Sequence, residues 1–228
     1  MELTEKDRAA LARALEGLSE RVRLLLITDR SGSRSDCWLC PETEELIGAI
    51  AAASDEVELE IVDVREDPGA LARYGAIGVP TLVMLRADGA DPGIRFSGIP
   101  AGFELASLIQ AIALLGSGDP GLEARSREAL ARLDRDVTIR VFVTPTCPYC
   151  PRAALTAMRM AMGSERVRAE IVEAQEFPEL ADAYRVFGVP KIVINDRVEV
   201  EGAMPESSFL DAVLHAVAED DPATAVRS

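Results

Sequence analysis

Thr144-Pro145-Thr146-Cys147-Pro148-Tyr149-Cys150-Pro151-Arg152 is the stretch on which the reading of this chain turns. An apolar run, Ile139 to Val143, leads into it and reads as a buried parallel strand. The two cysteines then open a helical pattern that runs from Cys147 to about Met162. Forty residues after Cys150 comes Pro190, preceded by Val189 and followed by a second apolar run, Lys191 to Asn195.

The same arrangement occurs earlier in the chain. Cys37 and Cys40 lie 110 positions before Cys147 and Cys150. That offset also links Pro41 to Pro151, Pro68 to Pro178, Tyr74 to Tyr184, and Gly78-Val79-Pro80 to Gly188-Val189-Pro190. Six correspondences in one register mark a duplicated domain. Leu24 to Thr28 supplies the strand before the first pair, and a helix is predicted from Cys37 to Ala53. Further strands are predicted at Val57 to Val64, Val167 to Val172 and Thr81 to Leu85. Short helices are expected at Leu71 to Tyr74 and Leu180 to Tyr184. Closing helices are expected near Phe103 to Leu115 and Glu206 to Ala218. The rhythm is βαβαββα, repeated, with helices over both faces of mixed sheets. Gly116 to Gly121 marks the boundary, giving units of 1–117 and 118–228 with a helix from Leu122 to Leu133 opening the second. The residues from Asp220 read as a loose tail.

Two thiols at i and i+3 beside a helix N-terminus have a definite chemical use. Unpaired N–H groups and the helix dipole favour a thiolate on the first. The second lies close enough to attack a mixed disulfide and release the product. Pro148 fits a first turn that needs no donor there. Val79-Pro80 and Val189-Pro190 complete each site. A cis X-Pro bond there would leave the preceding backbone free to pair with an extended substrate, so all four residues are candidate substrate-binding positions.

The two pairs have different surroundings. Arg152 follows the second pair with no acid within three residues, whereas Asp36, Glu42, Glu44 and Glu45 crowd Cys37, with Arg34 as a partial offset. Cys147 is therefore expected to be the more acidic and reactive nucleophile. Trp38, inside the first pair, should report its redox state by fluorescence.

Composition bounds the remaining readings. The 228 residues carry 39 acids against 24 bases, a net charge of −15. That disfavours nucleic acid and anionic membranes as partners. No run approaches the roughly 20 apolar residues of a membrane span. Leu3, Leu11, Leu15 and Leu18 read as an amphipathic helix rather than a signal peptide, so the expected compartment is the cytoplasm. All four cysteines fall in the two pairs, which points to catalysis or metal rather than a structural disulfide framework.

The runs 144–151 and 189–194 (Val-Pro-Lys-Ile-Val-Ile) resemble the glutaredoxin-like protein disulfide oxidoreductases of thermophilic archaea and bacteria. That resemblance implies two tandem thioredoxin-like units. It implies disulfide exchange with protein substrates through Cys37/Cys40 and Cys147/Cys150, with no cofactor beyond the redox-active disulfides. A thioredoxin reductase would be the electron donor. Thioredoxins also bury an acid before the cysteine helix; the corresponding positions here are Ser31 and Val141, which leaves Glu60 and Glu170 as alternative proton acceptors.

Other readings compete. The first is an electron-transfer module that feeds a peroxiredoxin, as in the double thioredoxin-fold region of flavin-dependent peroxide reductases. Four thiolates could instead hold structural zinc, although each pair here opens a helix after a buried strand and has its own Val-Pro. Cys-Pro-Tyr-Cys is also a glutaredoxin motif, with Lys191 and Arg152 as the charged residues for a glutathione groove. His215 has no assigned role, and Met158, Met160 and Met162 read as core filler.

Overall fold

The computed structural model describes residues 4–31 and 37–219. Leu3, Arg34, Asp36 and the tail from Asp220, all used in the readings above, lie outside the described residues. The first half runs α1 (Glu5–Ala14), β1 (Val22–Thr28), α2 (Cys40–Ala51), β2 (Val57–Asp63), α3 (Ala70–Tyr74), β3 (Thr81–Arg86), β4 (Ile94–Ser97) and α4 (Glu104–Ser117). The second runs α5 (Ala124–Leu130), β5 (Val137–Val143), α6 (Cys150–Met162), β6 (Val167–Glu173), α7 (Pro178–Ala183), β7 (Lys191–Ile194), β8 (Val198–Glu201) and α8 (Glu206–Glu219). The expected elements are present in both halves, in the expected order.

The central strands alternate between two cores, because successive side chains point to opposite faces. Leu24 and Leu26 join Ile139 and Val141 in one large core under α1, α2, α4, α6 and α8. Leu25 and Ile27 face the other way, onto a small core with α3. Phe142 and Val172 do the same with Leu180 and Tyr184. Burial on both faces explains why Leu24 to Ile27 is an unbroken apolar run and why Val141 to Val143 ends β5 as one. Leu11 and Leu15 dock the N-terminal helix, and Met158, Met160 and Met162 are buried core residues, as the sequence implied.

The halves do not form separate sheets. Each contributes four strands, and the order is β2-β1-β3-β4-β6-β5-β7-β8 in a single sheet. Within a half, the first two strands are parallel and the other pairings antiparallel. The seam is a parallel pairing of β4 with β6, Ile94 opposite Ala169 through Ser97 opposite Val172. Gly93 makes this approach feasible. Its φ is +81°, and a Cβ there would lie 2.8 Å from the Val167 carbonyl oxygen. Side-chain packing of α4 against α6 closes the same junction from one face.

The helix starts correct the sequence reading. Both cysteine helices begin at the second cysteine, with the first in the turn ahead of it. Pro148 therefore lies outside the helix, and Pro41 and Pro151 take the first-turn positions. The duplication is also less regular than its offset suggested. Nine positions separate Thr28 from Cys37, but only four separate Val143 from Cys147, so the spacing from strand to cysteine pair differs between the halves.

Candidate active site

At the second pair, β5 delivers the chain to a turn in which Cys147 N–H donates to the Thr144 carbonyl at 3.1 Å. Cys147 and Cys150 form a disulfide with their Cα atoms 5.5 Å apart. Cys150 is fully buried, whereas Cys147 keeps 6% of its surface. The Cys150 N–H donates to Cys147 Sγ at 3.1 Å, which favours negative charge on that sulfur. The first turn of α6 contains no acid.

Antiparallel pairing of β5 with β7 brings the Val-Pro segment opposite, so that the Val189 carbonyl oxygen lies 3.6 Å from Cys147 Sγ. Both Val79-Pro80 and Val189-Pro190 are cis. The two prolines are held alike: Gly98 N–H donates to Pro80 O at 2.9 Å, and Gly202 N–H to Pro190 O at 2.8 Å.

Cys37 and Cys40 are also disulfide-bonded, with Cα atoms 5.3 Å apart. Cys37 is 6% exposed and Cys40 2%. Here the electrostatics are acidic. Glu42 occupies the first turn of α2, and Arg30 is tied to Glu44 by two hydrogen bonds. The Asp29 N–H donates to Cys40 Sγ at 3.4 Å, while the Asp29 carboxylate accepts from the N–H and hydroxyl of Ser31. Asp29 is buried, and sequence reasoning passed over it in favour of Ser31. The available signal was an acid directly ending an apolar strand run, at the edge where the cysteine loop begins.

The two matched glutamates do not serve the cysteines. Glu60 is exposed and pairs with Arg23 at 3.2 Å. Glu170 is buried and takes two hydrogen bonds from Arg140, which also donates to Tyr184 and Asp196. Lys191 is committed as well, donating to the Tyr184 carbonyl at 2.6 Å and paired with Glu199 at 2.7 Å. It is almost wholly buried.

Three buried acids at the junction escaped the sequence reading. Glu104, at the start of α4, is pushed up to about 7 by burial, against the lowering effect of its hydrogen bond from Ser107. Glu176 is likewise pushed up to about 7 by burial, against the hydrogen bond its Oε1 accepts from Ile99 N–H at 2.6 Å. Burial also raises Glu173, whose Oε2 accepts from Glu176 N–H. The four cysteines stay in two pairs, and among the described residues no three or more His, Cys, Asp or Glu side chains converge as a metal site. Among those residues no helix is long and apolar enough to cross a membrane.

The large exposed hydrophobic side chains among the described residues are Trp38, Ile77, Phe103, Tyr149 and Phe187. Four of them are close in sequence to a cysteine pair or a Val-Pro segment, and the fifth, Phe103, is tied to the chain just ahead of Cys147. Trp38 and Tyr149 lie within the cysteine pairs, and Ile77 and Phe187 precede the two Gly-Val-Pro segments. Phe103 donates its N–H to the Pro145 carbonyl at 2.9 Å, two residues ahead of Cys147.

Paired cysteines beside helix N-termini, each with a cis Val-Pro segment, on a sheet of this topology, define a thioredoxin-fold dithiol–disulfide protein. Similarity to known proteins agrees. A thioredoxin domain family model matches residues 137–215. The chain is 32% identical to a protein disulfide oxidoreductase of Aeropyrum pernix K1, covering 96% of this chain and 95% of that one with a TM-score of 0.87. An N-terminal domain of alkyl hydroperoxide reductase from Enterococcus faecalis (V583) is 29% identical, over 93% of this chain and 100% of that one, with a TM-score of 0.84. An alkyl hydroperoxide reductase chain of Escherichia coli (strain K12) is 27% identical over 83% of this chain. This chain belongs to the tandem thioredoxin-fold family that includes the protein disulfide oxidoreductases. It spans about a third of the length of the E. coli relative.

Proposed function

We propose that the chain is a protein dithiol–disulfide oxidoreductase with its principal centre at Cys147 and Cys150. The observation that carries this is the 3.6 Å approach of the Val189 carbonyl to a slightly exposed Cys147 Sγ, with Cys150 buried behind it. In the reductive direction the Cys147 thiolate attacks one sulfur of a substrate disulfide. A mixed disulfide forms and the other substrate sulfur leaves as thiolate. Cys150 then attacks Cys147 Sγ, the second substrate thiolate departs, and the pair is left as the disulfide. Two electrons have passed to substrate. The backbone at Val189-Pro190 aligns the substrate by strand-like pairing. Cys37, Cys40, Val79 and Pro80 do the same at the other end, in a more acidic setting. The redox-active disulfides suffice without a further cofactor. A thioredoxin reductase in the cytoplasm restores the dithiols. The units that carry the two sites are residues 1–117 and 118–228.

Insulin reduction by Cys37→Ser, Cys147→Ser and the double variant tests this. The double variant should be inactive, and Cys147→Ser should lose most of the rate. Full activity in the double variant would remove the proposal.

A second reading has its own support in the likeness to an alkyl hydroperoxide reductase N-terminal domain over nearly the whole chain. On it, electrons pass through Cys147 and Cys150 to a peroxiredoxin. The pre-reduced chain would then reduce an oxidised peroxiredoxin far faster than insulin, whereas a general oxidoreductase would favour insulin or treat both alike.

A further inference from the structure

Gly78 and Gly188 are equivalent in the duplication, each preceding a Val-Pro, yet their surroundings differ. A Cβ at Gly188 would meet nothing within 4 Å. At Gly78 it would lie 2.8 Å from a ring carbon of Phe177. Ahead of the first Val-Pro, Gly78 is thus covered by Phe177 of the second half of the chain, while Gly188 ahead of the second is open. Phe177 is held there from both sides: Glu176 is fastened to Ile99 N–H, and α7 begins at Pro178.

Between the two halves lies a cleft of about 600 Å³. Trp38, Ile77 and Val79 form one wall, and Phe177 with Leu180 faces them. Glu176 and Glu179 also line it, and no Lys or Arg does so among the described residues. Glu42, in the first turn of α2, acts electrostatically on Glu176 and adds to the negative field. Trp38 is 62% exposed although it is large and apolar. Exposed aromatic surface facing a second apolar wall, with the exposed Glu179 at its rim and no cation in its lining among the described residues, is the pattern of a ligand groove.

We propose that this cleft is a substrate pocket of the Cys37–Cys40 site, completed by the second half of the chain, which takes an apolar side chain followed by Lys or Arg. The proposal rests on the oxidoreductase reading and adds a substrate class to it. The apolar residue enters between Trp38 and Phe177, and the cation lies against the exposed Glu179, with the buried Glu176 behind it. Phe177 is the specificity-determining residue. The second site has no equivalent wall and takes its substrates without this preference.

Trp38 is the sole tryptophan, so binding can be read without turnover. The oxidised full-length chain is titrated with two cysteine-free octapeptides, one containing Leu-Lys and the other Leu-Glu at the same positions, with Trp38 fluorescence as the signal. The Leu-Lys peptide should bind about fivefold more tightly than Leu-Glu at low salt, and the gap should close at high salt. Phe177→Ala should weaken Leu-Lys binding about tenfold and Phe177→Leu should largely restore it. Phe187→Ala, beside the other site, should leave the titration unchanged. Equal binding of both peptides, an unaffected Phe177→Ala variant, or no fluorescence response to either peptide would overturn the pocket. Peptide selection in a chain that fails to reduce insulin would remove the oxidoreductase reading and leave the pocket. Insulin reduction without peptide selection would do the reverse.

Discussion

The carbonyl oxygen of Val189 lies 3.6 Å from Sγ of Cys147, although 42 positions separate them in the chain. The approach follows from sheet register, because Phe142 in β5 stands opposite Lys191 in β7. The residues just beyond those strand ends, Cys147 on one side and Val189 on the other, are therefore brought together. The slightly exposed Cys147 sulfur and the backbone that would hold a substrate lie side by side.

Cys147 should react faster than Cys37. Its sulfur accepts the Cys150 N–H and no acid sits in the first turn of α6, whereas Glu42 sits in that of α2. After full reduction, iodoacetamide at neutral pH should label Cys147 about fivefold faster than Cys37, read by peptide mass spectrometry. Faster labelling of Cys37 would contradict this electrostatic account.

Stability should fall as pH rises from about 4.5 to about 7. Glu104 has an ordinary value of 4.5 when exposed and is pushed up to about 7 in the fold. The folded state therefore binds the Glu104 proton more tightly. That contribution is complete below the unfolded value and is lost as pH rises through the folded one. The loss is about 3 kcal/mol. Glu104→Gln should flatten the profile, seen as a smaller difference in urea midpoint between pH 5 and pH 8. Glu176 acts in the same direction.

Glu170→Ala should destabilise the chain by on the order of 3 kcal/mol, because it strips the nearly buried Arg140 of its main partner. Glu170→Gln should recover part of this, because both Arg140 hydrogen bonds fall on one oxygen, Oε2, which an amide oxygen can replace without the charge. Both variants should retain insulin reduction when folded, since neither residue hydrogen-bonds a cysteine. A selective loss of activity with unchanged stability would mean that Glu170 handles protons after all.

Gly102→Ala should cost about 2 kcal/mol or more in chemical denaturation. Gly102 has φ +61°, and a Cβ there would collide with the Pro145 carbonyl across the junction. Because Phe103 donates to that same carbonyl, the variant should also slow exchange at Cys147. Gly118→Ala is the control: its φ is +73° but it has open space around it, so it should carry only the backbone penalty.

Much of the site was legible because its signals are local. A thiol pair after an apolar strand can be read from a few residues, and duplication in one register showed that the pattern was not accidental. The roles of single acids were less legible. Glu60 and Glu170 are equivalent in sequence, but one is exposed on edge strand β2 and the other is shielded on β6 beside the seam. The start of each cysteine helix was also misplaced, because periodicity does not say which residue of a turn makes the first helical hydrogen bond.

The cysteine pairs that began the reading, their Val-Pro partners and the repeated βαβαββα order follow from the sequence alone, through side-chain period, turn residues and spacing. Tertiary structure alone decided that two sheets become one, that Phe177 covers Gly78, and that Asp29, Glu104 and Glu176 are buried. Those outcomes depend on segments distant in the chain meeting at particular side-chain volumes and backbone angles. Gly93, Gly98 and Gly102 all hold positive φ at the junction, and what each will meet across it is not written in its neighbours. The two cysteine pairs share one spacing in the sequence, and what the opposite half places beside each of them is decided only in the fold.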